Sequence, residues 1–307
     1  MDYSWCSLGV ARKWRNSEKR DSRNCLINAG RRLRQARGYG TIAGPLSRWA
    51  LLNSGSVNPL LEQHADRLDE AGVAGSCTSH GAENNLYKIG LLLEHDEANT
   101  FGMQDLLRDV GFDEAYDAVT LRIGNPPDRE ENPGRGCINP ARTAAGLAEA
   151  GARIREVAGA GGRLVFATGH PGAMILYYLE LARWAEELGG RVVTAESRGR
   201  YQKGVSLDWA GPVGTLGDGA SLFHTHDPEP MRDVLRQIDS VDLVVADHGF
   251  AGAAITAGIP TVAVMDTNDP AFAVVAGRGA DVTVVPMDDN RPLNSYAAAL
   301  DVLKGGA

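Results

Sequence analysis

Hydrophobic and polar residues follow two different rhythms on either side of residue 160. Before it, apolar residues recur at helical spacing and β-branched runs are almost absent. This predicts one or two basic helices over Ser4–Arg37, broken at Gly38-Tyr39-Gly40. Further helices are expected over Leu46–Leu52, Leu60–Ala71, Asn84–Glu94, Phe101–Asp109 and Asp113–Val119. Asn58-Pro59 and Asn139-Pro140 read as helix starts, the second opening a long Ala-rich helix over Ala141–Ala158. Pro-, Asn- and Gly-rich loops precede that helix, at Gly124–Pro127 and Asn132–Gly134.

After Gly161-Gly162 the rhythm changes to short, continuous apolar runs. Arg163–Ala167, Arg191–Thr194, Asp242–Ala246, Thr261–Met265 and Val282–Val285 predict buried strands. Helices are expected between them at Ala173–Leu188, Pro228–Ile238, Gly252–Ala257 and Ala271–Ala276. Val213–Leu216 and Ala220–His224, flanking Gly217-Asp218-Gly219, predict a hairpin. Strands alternating with helices predict an α/β fold, an open, mainly parallel sheet covered on both faces, with a helical N-terminal layer. The expected organisation is a basic segment over 1–40, a mainly helical region over 41–159, and an α/β domain over 160–307 that carries the site.

Composition narrows the function classes. No apolar run among the 307 residues approaches the ~18 needed to span a bilayer, so no membrane insertion is expected. Four Cys (Cys6, Cys25, Cys77, Cys137) show no CxxC or CxH spacing, which excludes a zinc finger and argues against a disulfide framework. The net charge of −8 hides a split. Residues 1–37 hold ten basic and three acidic side chains, so a +7 head precedes a −15 body. The head reads as a solvated helix, a stretch upstream of the true start codon, a nucleic-acid arm, a contact for an acidic partner or an intramolecular clamp. No apolar core of a secretory signal follows it, and a cytoplasmic protein is expected.

Candidate chemistry lies at the carboxyl ends of the strands, where open α/β sheets bind ligands. Thr168-Gly169-His170-Pro171-Gly172 joins a strand to a helix through two glycines, a place for an anion on free N–H groups or an ordinary tight turn. His224-Thr225-His226-Asp227 follows the hairpin. Its two imidazoles at i, i+2 point to one side if the strand persists; otherwise one is a core residue and one is solvated. Asp227 has a competing role as helix cap. Asp247-His248-Gly249, then Asp266-Thr267-Asn268-Asp269, and finally Asp288-Asp289-Asn290 complete the edge. Asp266 or Asp269 is expected to cap the next helix. The edge is acidic, with few cations beyond Arg198, Arg200 and Arg291. A phosphate there calls for a divalent metal, most simply Mg²⁺.

These segments resemble a family of actinobacterial-type proteins known simply as phosphatases. The similarity is carried by Thr168–Gly172, Phe223–Met231, Val244–Ala254, Asp266–Ala271 and Pro286–Asn290, and more faintly by Ile42–Gly44 and Glu83–Tyr87. It implies phosphomonoester hydrolysis. A shorter stretch, Gly258–Pro270, is similar to a strand and loop of ribosomal protein S2, and the sugar-phosphate-binding SIS fold is built comparably. That resemblance implies a flavodoxin-like or SIS-like sheet.

The expected function is metal-assisted hydrolysis of a small phosphomonoester, a nucleotide or sugar phosphate. Catalytic roles are expected for His170, His224, His226, Asp247 and His248. Substrate contacts are expected from Thr168, Gly169, Gly172, Arg198, Arg200 and Asn268, and metal ligands from Asp247, Asp266, Asn268 and Asp269. The alternatives are a sugar-phosphate isomerase or lyase on the same sheet, and a non-catalytic phosphometabolite- or RNA-binding protein. A small phosphorylated metabolite is the expected partner. Neither a membrane nor nucleic acid is expected, and a homo-oligomer is left open.

Overall fold

The computed structural model describes residues 59–76, 78–124, 136–196, 199–201 and 204–305. The basic head, the Leu46–Leu52 helix, the loops at 125–135 and Arg198 lie outside them. The N-terminal layer consists of α1 (Pro59–Glu70), α2 (Ala82–Leu93), the single turn α3 (Glu97–Thr100) and α4 (Phe112–Ile123). Then come α5 (Pro140–Gly159), β1 (Arg163–Ala167), α6 (Pro171–Glu187), β2 (Arg191–Val192), β3 (Ser206–Ala210), β4 (Val213–Gly217) and β5 (Leu222–Phe223). The chain closes with α7 (Glu229–Gln237), β6 (Leu243–Ala246), α8 (His248–Thr256), β7 (Thr261–Met265), α9 (Pro270–Gly277), β8 (Val282–Pro286), a 3₁₀ turn (Leu293–Tyr296) and α10 (Ala297–Leu303).

The eight strands form one sheet in the order β3-β4-β1-β6-β7-β8, with β2 paired to β1 and β5 to β4. Pairing is parallel except for β3-β4 and β4-β5. From β1 the chain first builds outward to β4 and then returns to place β6 on the other side. β1 and β6 therefore flank the point where strand order reverses, the ligand crevice of open α/β sheets. α6 packs on β1, β2 and β4, and α8 and α9 pack on β6, β7 and β8. α5 and α10 join α6, and α7 packs on α8.

α8 and α9 are apolar on nearly every side because they are covered twice. The sheet lies beneath them, and α7, α2 and α4 lie above. Phe250 and Phe272 are fully buried there, each worth about 2–3 kcal/mol of transfer free energy. One hydrophobic core runs from Leu68 to Leu303, so the helical layer and the sheet share their interior. Arg278 fastens the two with hydrogen bonds to both carboxylate oxygens of Glu114 (2.7 and 2.8 Å) and to the carbonyls of Leu106 and Arg108.

Two expectations need correction, and one strand, β3, has no counterpart among them. Phe101–Asp109 forms turns instead of a helix, and Phe101 and Asp109 both take left-handed backbone (φ 51° and 59°). β3 carries no continuous apolar run, because it is an edge strand with only Leu207 buried. Cys137 is disulfide-bonded, against the reading that disulfides are unlikely. No helix among the described residues is long and apolar enough to cross a membrane.

Candidate active site

The centre of the site is built where β1 and β6 end side by side. Asp247, wholly buried, occupies the residue before α8 but does not cap that helix. Its carboxylate reaches across to β1 instead, accepting from Thr168 Oγ1 (2.7 Å) and from the Gly169 N–H (2.6 Å). The same carboxylate accepts from His248 Nδ1 (2.9 Å), which leaves Nε2 as the free nitrogen of that ring. His248 has φ 47°, a conformation costing about 1–3 kcal/mol outside glycine, and such strain concentrates at functional turns. Two glycines let the neighbouring backbones close in. A Cβ on Gly169 would lie 2.3 Å from the Thr225 carbonyl oxygen, and one on Gly249 2.3 and 2.4 Å from those of Asp227 and His226.

β7 and β8 add four buried carboxylates. Asp266 accepts from the Thr267 N–H (2.6 Å) and from His80 Nδ1 (2.7 Å). Asp269 sits at the start of α9, yet its Oδ2 accepts from the Asp266 N–H (3.2 Å). Neither caps the helix as expected, since both are turned into the loop. Asp288 is held by the Ser79 N–H and hydroxyl (both 2.7 Å) and by the Asn290 N–H (3.0 Å). Asp289 differs from all of these. Its Oδ1 lies 3.3 Å from His170 Nδ1 and its Oδ2 3.5 Å from His248 Nε2, with no hydrogen-bond partner for Oδ2 although the residue is only 2% exposed.

Four imidazoles gather beside the carboxylates. The β4-β5 hairpin folds back so that the Thr225 N–H bonds the Gly169 carbonyl (2.8 Å), bringing His224 and His226 over the end of β1. The strand stops at Phe223, yet both rings do share one side, with their Nε2 atoms 3.2 Å apart. His226 Nδ1 donates to the Ala98 carbonyl (2.6 Å). Ring centroids of His170, His224, His226 and His248 lie 4.6–5.5 Å from their neighbours. Phe101 leans on His226 and His248 and stacks on Phe272, closing the inner side of the cluster.

Packing so many acids together perturbs them strongly. Burial, with repulsion from Asp289, pushes Asp266 up to about 7 and Asp269 up to about 6. Burial alone would raise Asp289 too, but His170, His248 and His80 hold it down to about 2. Burial opposes protonation of His248, and Asp247 with Asp289 and Asp269 overrides it, to about 10. Burial and the neighbouring imidazoles push His224 down to about 4 and His226 to about 3, so both are neutral near pH 7. The hydrogen bond to Asp266 raises His80 above an ordinary histidine.

His170, His224, His226, Asp247, His248, Asp266 and Asp269 thus meet at one edge, with Thr168 beneath them and Asn268 half-buried in the same loop. Gly169 cannot offer its N–H to a phosphate as expected, because Asp247 already holds it. Pro171 has no N–H, which makes Gly172 the first available donor of α6. Arg200 lies at the β3 edge, donating to the Gly204 carbonyl (2.8 Å). Asp227 does accept from the Glu229 N–H (2.9 Å), the capping role foreseen for it. Asp288 and Asp289 stand at the edge the sequence predicts, though with no role expected of them. Ser79 and His80 were not expected there, because they lie in the helical region, where no strand end points to them.

Groups able to hold a metal ion recur here. His170, His224 and His248 form one; His248, Asp269 and Asp289 a second; Asp266, Asp288 and Asp289 a third, each with ligand atoms within 4.8 Å of one another. A curated Streptomyces coelicolor (strain A3(2)) protein named as a phosphatase is 33% identical over 239 residues, covering 76% of this chain and 90% of the relative. The family model described as Phosphatase matches residues 60–303, which takes in both the helical layer that supplies His80 and the sheet that supplies the acids. The chain belongs to this Phosphatase family.

Proposed function

We propose that the protein hydrolyses small phosphomonoesters, nucleotide or sugar phosphates, at the strand ends of β1, β6, β7 and β8, with a divalent cation. The observation carrying this reading is the set of five buried carboxylates, Asp247, Asp266, Asp269, Asp288 and Asp289, opposed by imidazoles. Buried like charges of this density are costly unless cations pair them. The donor set fits a metal on one specific ground. Asp289 Oδ2 is buried, lacks a hydrogen bond and faces His248 Nε2 across 3.5 Å, too long for a charge-assisted bond.

Asp266, Asp269, Asp288 and Asp289 would hold the ion, with His248 beside them. When bound, it would neutralise phosphate oxygens and lower the pKa of water. Asp247 acts behind His248, fixing its tautomer through Nδ1 so that Nε2 faces Asp289. Ser79 and Asn290 orient Asp288 in the same way. The Gly172 N–H at the start of α6 receives a phosphate oxygen. His80, half-buried and tied to Asp266 through Nδ1, keeps Nε2 to protonate the leaving alcohol. Phe101 excludes water from the inner side. Arg200, at the far edge, has no role in phosphate binding.

Phosphate release from a panel of nucleotide and sugar phosphates tests the reading. Release that stops with EDTA and returns with Mg²⁺ or Mn²⁺ is expected. No release from any ester, with tight phosphate binding retained, would favour a binding protein; release unaffected by chelator would remove the metal.

A further inference from the structure

Resting on the proposed cation at the carboxylates, we propose that the site holds two adjacent cations bridged by Asp289: one on nitrogen donors (His170, His224, His248) and one on oxygen donors (Asp266, Asp288, Asp289). Two separations support the pairing. His170 Nδ1 and Asp289 Oδ1 are 3.3 Å apart, and His248 Nε2 and Asp289 Oδ2 3.5 Å. Ligand atoms on a tetrahedral ion with bonds of about 2.0 Å stand about 3.3 Å apart. Direct charge-assisted hydrogen bonds would instead close to about 2.7–2.9 Å.

The orphaned atoms point the same way. Asp289 Oδ2 and His170 Nδ1 are buried without hydrogen-bond partners, although each has the other's side chain close by. A carboxylate that keeps two imidazoles at hand and yet bonds neither behaves as a group waiting for an ion between them. Asp289 belongs to the oxygen set and lies against two members of the nitrogen set, and the His248–Asp269–Asp289 group joins both. That is the arrangement of a bridging carboxylate between ions about 3.5–4 Å apart.

The supporting contacts differ as two distinct sites require. Around the nitrogen set, Asp247 holds His248 through Nδ1, leaving Nε2 available. His226 is fixed in its turn by the Ala98 carbonyl, so its Nε2 lone pair faces His224. Around the oxygen set, the Ser79 N–H and hydroxyl and the Asn290 N–H orient Asp288, and the Thr267 N–H orients Asp266. Imidazoles suit zinc, copper, iron or nickel and carboxylates magnesium, calcium or manganese; Mn²⁺ is the probe because it is paramagnetic and reports its own coupling.

The test loads the full chain, stripped with chelator, with Mn²⁺, removes excess ion, and measures metal content together with electron paramagnetic resonance. Two ions per chain with an exchange-coupled spectrum are expected. One ion with an isolated-ion spectrum would overturn the bridged pair while leaving the single-cation reading intact; no retained ion would overturn both. Two ions with uncoupled spectra would also overturn the bridge. His224→Ala, at an exposed position that does not endanger folding, is expected to halve the content and give the isolated-ion spectrum. Unchanged content and coupling in that variant would contradict the nitrogen site. Asp289→Asn is expected to abolish coupling, and persistence of coupling in the folded variant would remove Asp289 as the bridge.

Discussion

The two halves of the sheet reach the site by opposite means. β6, β7 and β8 run parallel, buried on both faces, and each ends in acids fixed by backbone N–H groups and short side chains. The β4-β5 hairpin is antiparallel, only two residues of β5 pair, and it delivers imidazoles held by ring contacts and one carbonyl. The parallel half thus sets carboxylates rigidly at high electrostatic cost. The hairpin sets neutral, more exposed donors beside them. Asp289 lies where these halves meet, which makes it the residue whose loss should damage both.

The largest effect is therefore expected from Asp289→Asn: a loss of phosphatase turnover of about 10²–10³-fold, measured at saturating Mn²⁺ with thermal unfolding as the fold check. Full activity in that variant would detach the acids from the chemistry. Asp247→Asn comes next, because this carboxylate touches no substrate and acts through His248. Weaker metal binding and activity by about 10–100-fold are expected, as for other groups behind a metal ligand. The loss should appear in metal affinity as well as in rate, and a change in neither would reduce Asp247 to a structural residue.

Gly249→Ala separates the halves. Its Cβ would collide with the Asp227 and His226 carbonyls and push the imidazole segment off α8. A stability loss of about 1–3 kcal/mol is expected by chemical denaturation, with the carboxylate side still able to bind Mn²⁺. Loss of every ion would show that the halves are not separable. The smallest effect is expected at the outer clamp, where Arg278→Ala removes the Glu114 pair and costs about 1 kcal/mol. Arg278 holds the Glu114 carboxyl below its ordinary range. That contribution is present above the ordinary carboxylate pKa and is lost as pH falls through the lowered one. The melting temperatures of the wild type and Arg278→Ala should therefore converge on acidification, and a constant gap would contradict the pairing.

The same contrast explains what could be read from the sequence. Parallel strands buried on both faces are continuous apolar runs, so Arg163–Ala167 and Thr261–Met265 are legible to the residue, and the ends of β6 and β7 locate Asp247, Asp266 and Asp269. Edge strand β3 buries one residue and shows no run at all. The helical layer was legible as helices, but not its descent to the sheet edge. His80 meets Asp266 across 186 positions of sequence, and no local spacing encodes that contact. Phe101 joins His226 and His248 from a left-handed turn that reads as helix in its apolar periodicity. The cap role assigned to Asp269 and the phosphate contact assigned to Gly169 failed for one reason. Each group had a nearer partner within the site, Asp266 N–H for the first and Asp247 for the second.

The most direct measurement is anomalous diffraction from crystals of the full chain soaked with Mn²⁺ and inorganic phosphate. The account predicts anomalous density in contact with Asp289, between the ends of β6, β7 and β8, with phosphate oxygens on the ion and near Gly172. Phosphate bound elsewhere, or Asp289 without metal at saturating Mn²⁺, would contradict it.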